Sequence, residues 1–287
     1  MRPKATSSRT LSVEAFVLAW PGNEKSAQFI VKEIRGCVDS VTVLYNSHSV
    51  SDAKVPEGWI DLGRDAYFGA KFEHARRVAR SDVQIFIPAD CYVEDWNKMV
   101  TSCRSAFVSF SRAAIWAPQS LGTAWMPNRT ALRKLTCRML SVTAVDSLVW
   151  AIRGTFLANL PKMKFTTNKY GWGIESAVAS GAHLKGFLVL LDTEVSYFHK
   201  RGSAYSSNEA ELAEIAFWET LPRSILKKVR TIQFIFSKRK LSETQKISVL
   251  DQAKLFLAVT YLVIGGMVRW SLRQGLQLKK PTDARRN

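Results

Sequence analysis

The first hundred residues alternate short apolar runs with stretches of helical period, and few architectures tolerate that alternation. The run VEAFVLAW (13–20) reads as a strand, and NEKSAQFIVKEIRGC (23–37) carries apolar positions at helical spacing up to Gly36. VDSVTVLYN (38–46) reads as a second strand, WIDL (59–62) as a short third and VQIFI (83–87) as a fourth, with a helix over GAKFEHARRVARS (69–81) before the last. Strands that alternate with helices form βαβ units and a mostly parallel sheet. Such sheets bind ligands at the carboxyl ends of their strands. In SDVQIFIPADCYVEDW (81–96) the fourth strand stops at Pro88 and Asp90 follows at once. Asp90 then has two readings. It faces a ligand, or it is a turn or N-cap aspartate opening a helix over VEDWNKMVTSC (93–103).

Beyond residue 105 the pattern changes. AFVSF (106–110) and AAIWAPQ (113–119) read as strands, and SVTAVDSLVWAIRGTFLANL (141–160) leads into a helix. NKYGWGIESAVASGAHLKG (168–186) is a glycine- and aromatic-rich loop followed by a short helix. FLVLLD (187–192) is another strand, and VSYFHKRGSAY (195–205) follows it. From Glu209 the chain reads as helices rich in Lys and Arg, and residues 279–287 read as a disordered basic tail. No internal repeat or low-complexity tract is present.

Hydrophobic residues make up 47% of the chain and aromatics 11%, which excludes an intrinsically disordered protein. The net charge of +17 suggests an anionic partner, which is nucleic acid, an anionic membrane surface or a phosphorylated ligand, or else it serves solubility alone. No helix-turn-helix, zinc or RNA-recognition signature is visible, so nucleic acid is not expected. The cysteines Cys37, Cys91, Cys103 and Cys137 form no CxxC pair, which argues against a zinc site and for a reducing cytoplasm. Residues 1–11 read as a flexible basic N-terminus with no signal peptide. The apolar run at 255–268 is about fourteen residues, short of the roughly 18 needed to span a bilayer, and reads as a buried or interfacial helix.

Five fragments stand in a recognisable order. AWPGNEKSAQFIVKEI follows the first strand and LYNSHS the second. DLGRDAYFGAKFEHARRVARSDVQIFIPADCYVEDW precedes YGWGIESAVASGAHLKG, and VSYFHKRGSAY comes last. This order resembles the GT-A fold glycosyltransferases, and among them the family 2-like sugar transferases of bacterial polysaccharide synthesis, over residues 13–205. The resemblance implies a Rossmann-like α/β catalytic domain over 12–208, with a basic helical region over 209–278 that is membrane-associated. It implies a nucleotide-diphospho-sugar donor, a saccharide or lipid-linked acceptor, an inverting reaction, and a place on the inner face of the cell membrane.

The resemblance also assigns residues. The family holds a divalent cation, Mn2+ or Mg2+, with an Asp-x-Asp motif at a strand end. Here Pro88 stands at the first acid and Asp90 at the second, which puts metal dependence in question. His199 matches a histidine that closes the metal or diphosphate site, and Lys200, Arg201 and Tyr205 match diphosphate contacts. GWGIES resembles the family's GWGxED loop, in which Trp172 and Gly173 face the sugar. Glu175 is the candidate general base there, and Ser176 replaces the second acid. Asp146 is the other candidate acid, with a helix N-cap as its plain reading. Pro21, Asn23 and Glu24 after the first strand, and Asn46 and Ser47 after the second, match the base and ribose site. Arg64, Lys71 and His74 lie on the segment that approaches the diphosphate, or else on an ordinary exposed helix face. In the basic C-terminal region, Phe217, Trp218, Phe234, Ile235 and Phe236 either dip into a membrane interface or pack on the catalytic domain. A catalytically degenerate protein that binds sugar nucleotide, and a basic nucleic-acid-binding protein, are the competing readings.

Overall fold

The structure is a computed structural model that describes residues 10–47, 55–199 and 205–278, with side chains through Ile264. The strands β1 (Val13–Ala19), β2 (Ser40–Tyr45), β3 (Ile60–Asp61) and β4 (Val83–Pro88) and the helices α1 (Glu24–Ile34) and α2 (Phe68–Val78) fall where the sequence predicts them. These four strands run parallel in the order β3-β2-β1-β4. Both faces of the sheet are covered. Val13, Ala15 and Val17 of β1 and Ile85 and Ile87 of β4 join a core under α1, while Phe16, Leu18 and Phe86 join a second core under α2. Burial on both faces explains why these strands read as continuous apolar runs rather than as alternating ones.

The chain continues through β5 (Cys91–Val93), α3 (Trp96–Ser109), β6 (Ala113–Leu121), α4 (Pro127–Thr130), β7 (Ala131–Lys134), β8 (Met139–Val142), β9 (Trp150–Arg153), α5 (Gly154–Ala158), α6 (Ile174–Lys185) and β10 (Leu188–His199). The sheet extends as β4-β9-β6-β10-β8-β7, and β9 runs antiparallel to both β4 and β6. Two sequence expectations change here. AFVSF is not a strand but the last turn of α3, because Ala106 and Phe107 continue the buried helical spacing of Met99, Val100 and Cys103. Asp90 does not cap that helix. Asp95 does, its Oδ1 accepting a hydrogen bond from the Lys98 amide at 2.8 Å, while Val93 belongs to β5.

The C-terminal helices are α7 (Ser207–Glu219), α8 (Arg223–Ser242) and α9 (Val249–Leu278). A capping box starts α7: Ser206 Oγ accepts from the Glu209 amide and Glu209 reaches back to the Ser206 amide. Ile225, Val229, Ile232 and Ile235 form a buried stripe on α8 that joins the same core as Phe16 and Leu18. Phe217 and Ile235 are therefore core residues, Trp218 packs against the core and Phe236 against Trp125, while Phe234 packs against the core and also lines the open groove between α8 and α9. Exposed apolar side chains lie instead on α9, at Leu250, Phe256, Leu257 and Ile264. Among the described residues no helix is long and apolar enough to cross a membrane.

Candidate functional site

The strand-end aspartate has a partner that lies 109 residues away in sequence. The Ala89 amide donates to the Leu18 carbonyl at 2.9 Å, which carries the β1–β4 pairing one residue past the end of β4. Asp90 sits in the turn before β5. β10 bends at an irregularity between Asp192 and Ser196, pairs antiparallel with β5, and so sets His199 opposite Cys91. The result is a contact of 2.8 Å between His199 Nε2 and Asp90 Oδ2. The hydrogen bond to Asp90 raises the histidine's pKa, burial opposes it, and the charges of Asp90 and Asp146 add to the rise.

Asp146 belongs to this neighbourhood and is not a helix cap. It lies between β8 and β9, and its Oδ1 accepts from the Leu148 amide at 3.3 Å. The residue keeps some exposure, yet its carboxyl is enclosed, and burial pushes its pKa up against the hydroxyls of Thr123 and Tyr197 beside it. Asp90, His199 and Asp146 therefore share one electrostatic environment at the carboxyl end of β4. Among the described residues, no three His, Cys, Asp or Glu side chains gather as a ready-made metal site.

The glycine-tryptophan loop packs beside this pair. Buried Asn168 organises it: its Nδ2 donates to the Trp172 carbonyl at 2.5 Å and its Oδ1 accepts from the Gly171 amide at 2.9 Å. Gly171 and Gly173 both take left-handed φ values, +89° and +80°, which side chains disfavour. The loop leaves Trp172 37% exposed. Its indole N–H donates to the Tyr205 hydroxyl, and the Asp90 charge reaches the same hydroxyl. Tyr205 stacks on Tyr170 with ring centroids 4.1 Å apart, and Lys169 Nζ sits 4.3 Å above the Tyr67 ring.

Glu175 follows in the first turn of α6 and is only 6% exposed. Ser176 Oγ donates to its Oε1 at 3.1 Å, and Gln233 Nε2 of α8 donates to Ser176 Oγ at 3.3 Å. Burial first, then the charge of Glu214, pushes the Glu175 pKa up to about 8. Glu214 is itself pushed up to about 7 by burial and by Glu211. The sequence reading missed Glu214. It comes from α7 and presses on the loop, since a Cβ on Gly173 would meet Glu214 Oε1 at 2.5 Å and Trp218 Nε1 at 2.7 Å. Its only sequence signal is that Glu214 and Trp218 share a helix face four residues apart.

A second cluster joins the ends of β1 and β2. Lys71 is 2% exposed, and its Nζ donates to the Ala19 carbonyl at 2.6 Å and to Asn46 Oδ1 at 2.5 Å. Burial pulls its pKa down to about 7 against the pull of Asp61. Lys71 is thus on the buried face of α2, not an exposed one, and its donors point at strand ends. Glu24 accepts from the Tyr45 hydroxyl at 2.6 Å and from the Gly22 amide at 2.9 Å, and Asp61 accepts from the Ser47 amide at 3.1 Å. Pro21 lies in the turn after β1, and the Asn23 amide closes that turn on the Trp20 carbonyl at 3.0 Å. Arg64 is exposed in the turn after β3. His74 is half-buried, with Nε2 enclosed and without a hydrogen-bond partner. Lys200 and Arg201 lie outside the described residues.

No protein-family model matches the chain, and no curated protein matches it. Solved structures do. GalNAc-T7 with UDP, GalNAc and Mn2+ superposes with a TM-score of 0.56 at 11% identity, over 96% of this chain and 59% of that one. This chain therefore spans under two thirds of that protein. The mannosyltransferase PcManGT from Pyrobaculum calidifontis, in complex with GDP-Man and Mn2+, gives 0.51 at 8% identity over 93% and 89% of the two chains. S. aureus TarS in complex with UDP-GlcNAc gives 0.51 at 11% identity over 92% of each. The α/β sheet with its mostly parallel strands and flanking helices is the GT-A fold of glycosyltransferases.

Proposed function

We propose that this chain is a glycosyltransferase that moves a sugar from a nucleotide-diphospho-sugar to a hydroxyl of a saccharide or lipid-linked acceptor. The observation that carries the reading is the Asp90–His199 contact of 2.8 Å at the carboxyl end of β4, in a GT-A sheet. The structurally similar proteins are complexes with UDP and GalNAc, with GDP-Man and with UDP-GlcNAc, the first two with Mn2+. An ion of the Mn2+ or Mg2+ kind keeps waters and substrate phosphates as ligands and needs few protein donors; the Asp90 carboxylate suits either, and the His199 imidazole suits Mn2+ better than the oxygen-seeking Mg2+. Asp90 and His199 would hold it. When bound, such an ion neutralises charge that builds on the diphosphate leaving group.

The chain's own residues supply the rest. Lys71, Asn46, Ser47 and Glu24, with Pro21 and Asn23 in the adjoining turn, shape a nucleoside pocket at the ends of β1 and β2. Tyr205 and Arg64 would meet the diphosphate, as would Lys200 and Arg201, which lie outside the described residues. Trp172 and the Gly173 backbone present a flat apolar face and close approach to the sugar. Glu175 takes the proton from the attacking hydroxyl, with Asp146 as the second acid, and a base in line with the leaving group makes the reaction inverting. Residues 12–208 carry the chemistry and the basic helices over 209–278 hold the enzyme peripherally on the inner membrane face, in bacterial surface polysaccharide or lipopolysaccharide synthesis.

A thermal-shift screen of UDP-, GDP-, TDP- and CMP-linked sugars, with and without Mn2+ or Mg2+, tests this reading. A ligand that binds only the native state raises the melting temperature. One nucleotide should stabilise the chain in a metal-dependent way, and the same sugar nucleotide should be consumed with an acceptor. No shift with any of them would remove the reading. Pro88 and Ser176 favour a second reading, a protein that binds sugar nucleotide without turnover; a clear shift with no transfer to any acceptor would select it.

A further inference from the structure

Helices α8 and α9 enclose a groove of about 810 Å³ that contains no residue of the site above. One wall carries Arg223, Lys227 and Arg230 of α8, and the other carries Leu257, Ala258 and Tyr261 of α9. The three cations recur at i, i+4 and i+7, so they share one helix face. All three are exposed, and among the described residues none has a carboxylate within ion-pair distance. Lys227 lies 5.5 Å over the Tyr261 ring, which joins the basic wall to the apolar one. The apolar wall continues outward. Leu250, Leu257, Tyr261 and Ile264 share a face of α9, and Leu257 is 64% exposed.

We infer that this groove and the adjoining face of α9 dock on an anionic phospholipid membrane, with Arg223, Lys227 and Arg230 on the headgroup phosphates and Leu257 and Ile264 in the acyl boundary. The two chemistries lie side by side, and a lipid surface presents both partners at once. A nucleic acid or a free phosphate would pair with the cations and leave the apolar stripe in water. The inference gives the membrane association proposed above a site. It stands apart from the transferase reading, because vesicle binding is read without turnover.

The test is co-sedimentation of the full chain with phosphatidylcholine vesicles, with and without phosphatidylglycerol. Binding should need phosphatidylglycerol and fall with added salt. The triple variant Arg223→Gln, Lys227→Gln, Arg230→Gln should bind roughly a hundred-fold more weakly, from about 1 kcal/mol per basic residue at the surface. A control with the same charge change on exposed residues of α1 and its C-terminal end, Lys25→Gln, Lys32→Gln, Arg35→Gln, should stay within a few-fold of wild type. The control matters because the net charge of +17 alone draws the chain to anions. Equal loss in both variants, wild-type binding in the groove variant, or equal binding to phosphatidylcholine alone would each overturn the inference. Should circular dichroism show the triple variant unfolded, Arg230→Gln alone should weaken binding about five-fold.

Discussion

Glu175 makes the stability of this protein fall as pH rises. Its carboxyl is buried among Ser176, Glu214 and the start of α6, and its pKa goes from 4.5 to about 8 on folding. The folded state therefore holds a proton that the unfolded chain gives up between those values. The stabilisation is fully present below pH 4.5 and is lost as pH rises toward 8, at about 1.4 kcal/mol per pH unit. Lys71 works in the opposite sense. Its folded pKa of about 7, down from 10.5, adds stability only as pH climbs above 7. A window from pH 5.5 to 7 thus lies below the lysine's range and inside the glutamate's. Over that window Glu175 should remove about 2 kcal/mol, or about 4–8 °C in Tm for a chain of this size. The perturbation is Glu175→Gln, which keeps an acceptor for Ser176 Oγ and removes the titration. Thermal melts of both proteins at several pH values give the answer. The wild type should lose stability relative to the variant across the window, while Glu214 and His183 titrate in both. Parallel Tm profiles for the two proteins would refute the burial argument and, with it, Glu175 as a base tuned near neutral pH.

Three further outcomes follow from the geometry. Asp90→Ala should lower transfer at least about a hundred-fold if Asp90 holds the charge-neutralising ion, with little change in Tm; it should also return the His199 pKa toward the ordinary imidazole value by NMR titration, and wild-type turnover would remove the proposed role. Lys71→Met leaves the Ala19 carbonyl and Asn46 Oδ1 without their buried donor, at about 1–3 kcal/mol for each unsatisfied group. That variant should lose stability in urea melts and lose the thermal shift with nucleotide, and an unchanged shift would place the nucleoside elsewhere. Gly173→Ala forces a side chain into φ +80° against Glu214 Oε1 at 2.5 Å, and should destabilise by about 1–3 kcal/mol in urea unfolding.

The parallel half of the sheet was legible because its strands are buried on both faces and its helices keep one apolar stripe. The strand-end Asp90 was legible for the same reason, since a buried run that stops on a carboxylate marks the ligand end of such a sheet. Its partner His199 was legible only through the resemblance of VSYFHKRGSAY, not from any local pattern. The 2.8 Å contact with His199 depends on the β5–β10 register and on the irregularity in β10, which no local pattern encodes. Asp146 is a candidate acid in the sequence, but its enclosure was not readable locally, because its neighbours Thr123 and Tyr197 come from β6 and β10 and their connections. Of the two readings of Lys71, a segment that approaches the diphosphate or an exposed helix face, its burial removes the second. Phe72 and Ala75 beside it mark the buried face of α2, and spacing would have put Lys71 there too. AFVSF was misread because a five-residue apolar run fits a strand and a helix end equally well.

The C-terminal helices are tied to the site more closely than their composition suggested, and a truncation exposes how much. Glu214 and Trp218 of α7 pack on Gly173, and Gln233 of α8 hydrogen-bonds Ser176 next to Glu175. Phe217, Ile225, Val229, Ile232 and Ile235 are each fully buried in the core that also holds Phe16 and Leu18. Burying such a side chain contributes about 1.5–3 kcal/mol, so five together contribute about 7.5–15 kcal/mol, comparable to the roughly 5–15 kcal/mol net stability of a typical domain. A chain ending at residue 208 should therefore not fold cooperatively. It should bind a hydrophobic dye and show no sharp calorimetric transition, whereas the full chain shows one. A truncated protein that melts sharply near the full chain's Tm would mean that 12–208 is complete on its own, and that Gly173 and Glu175 keep their arrangement without α7 and α8.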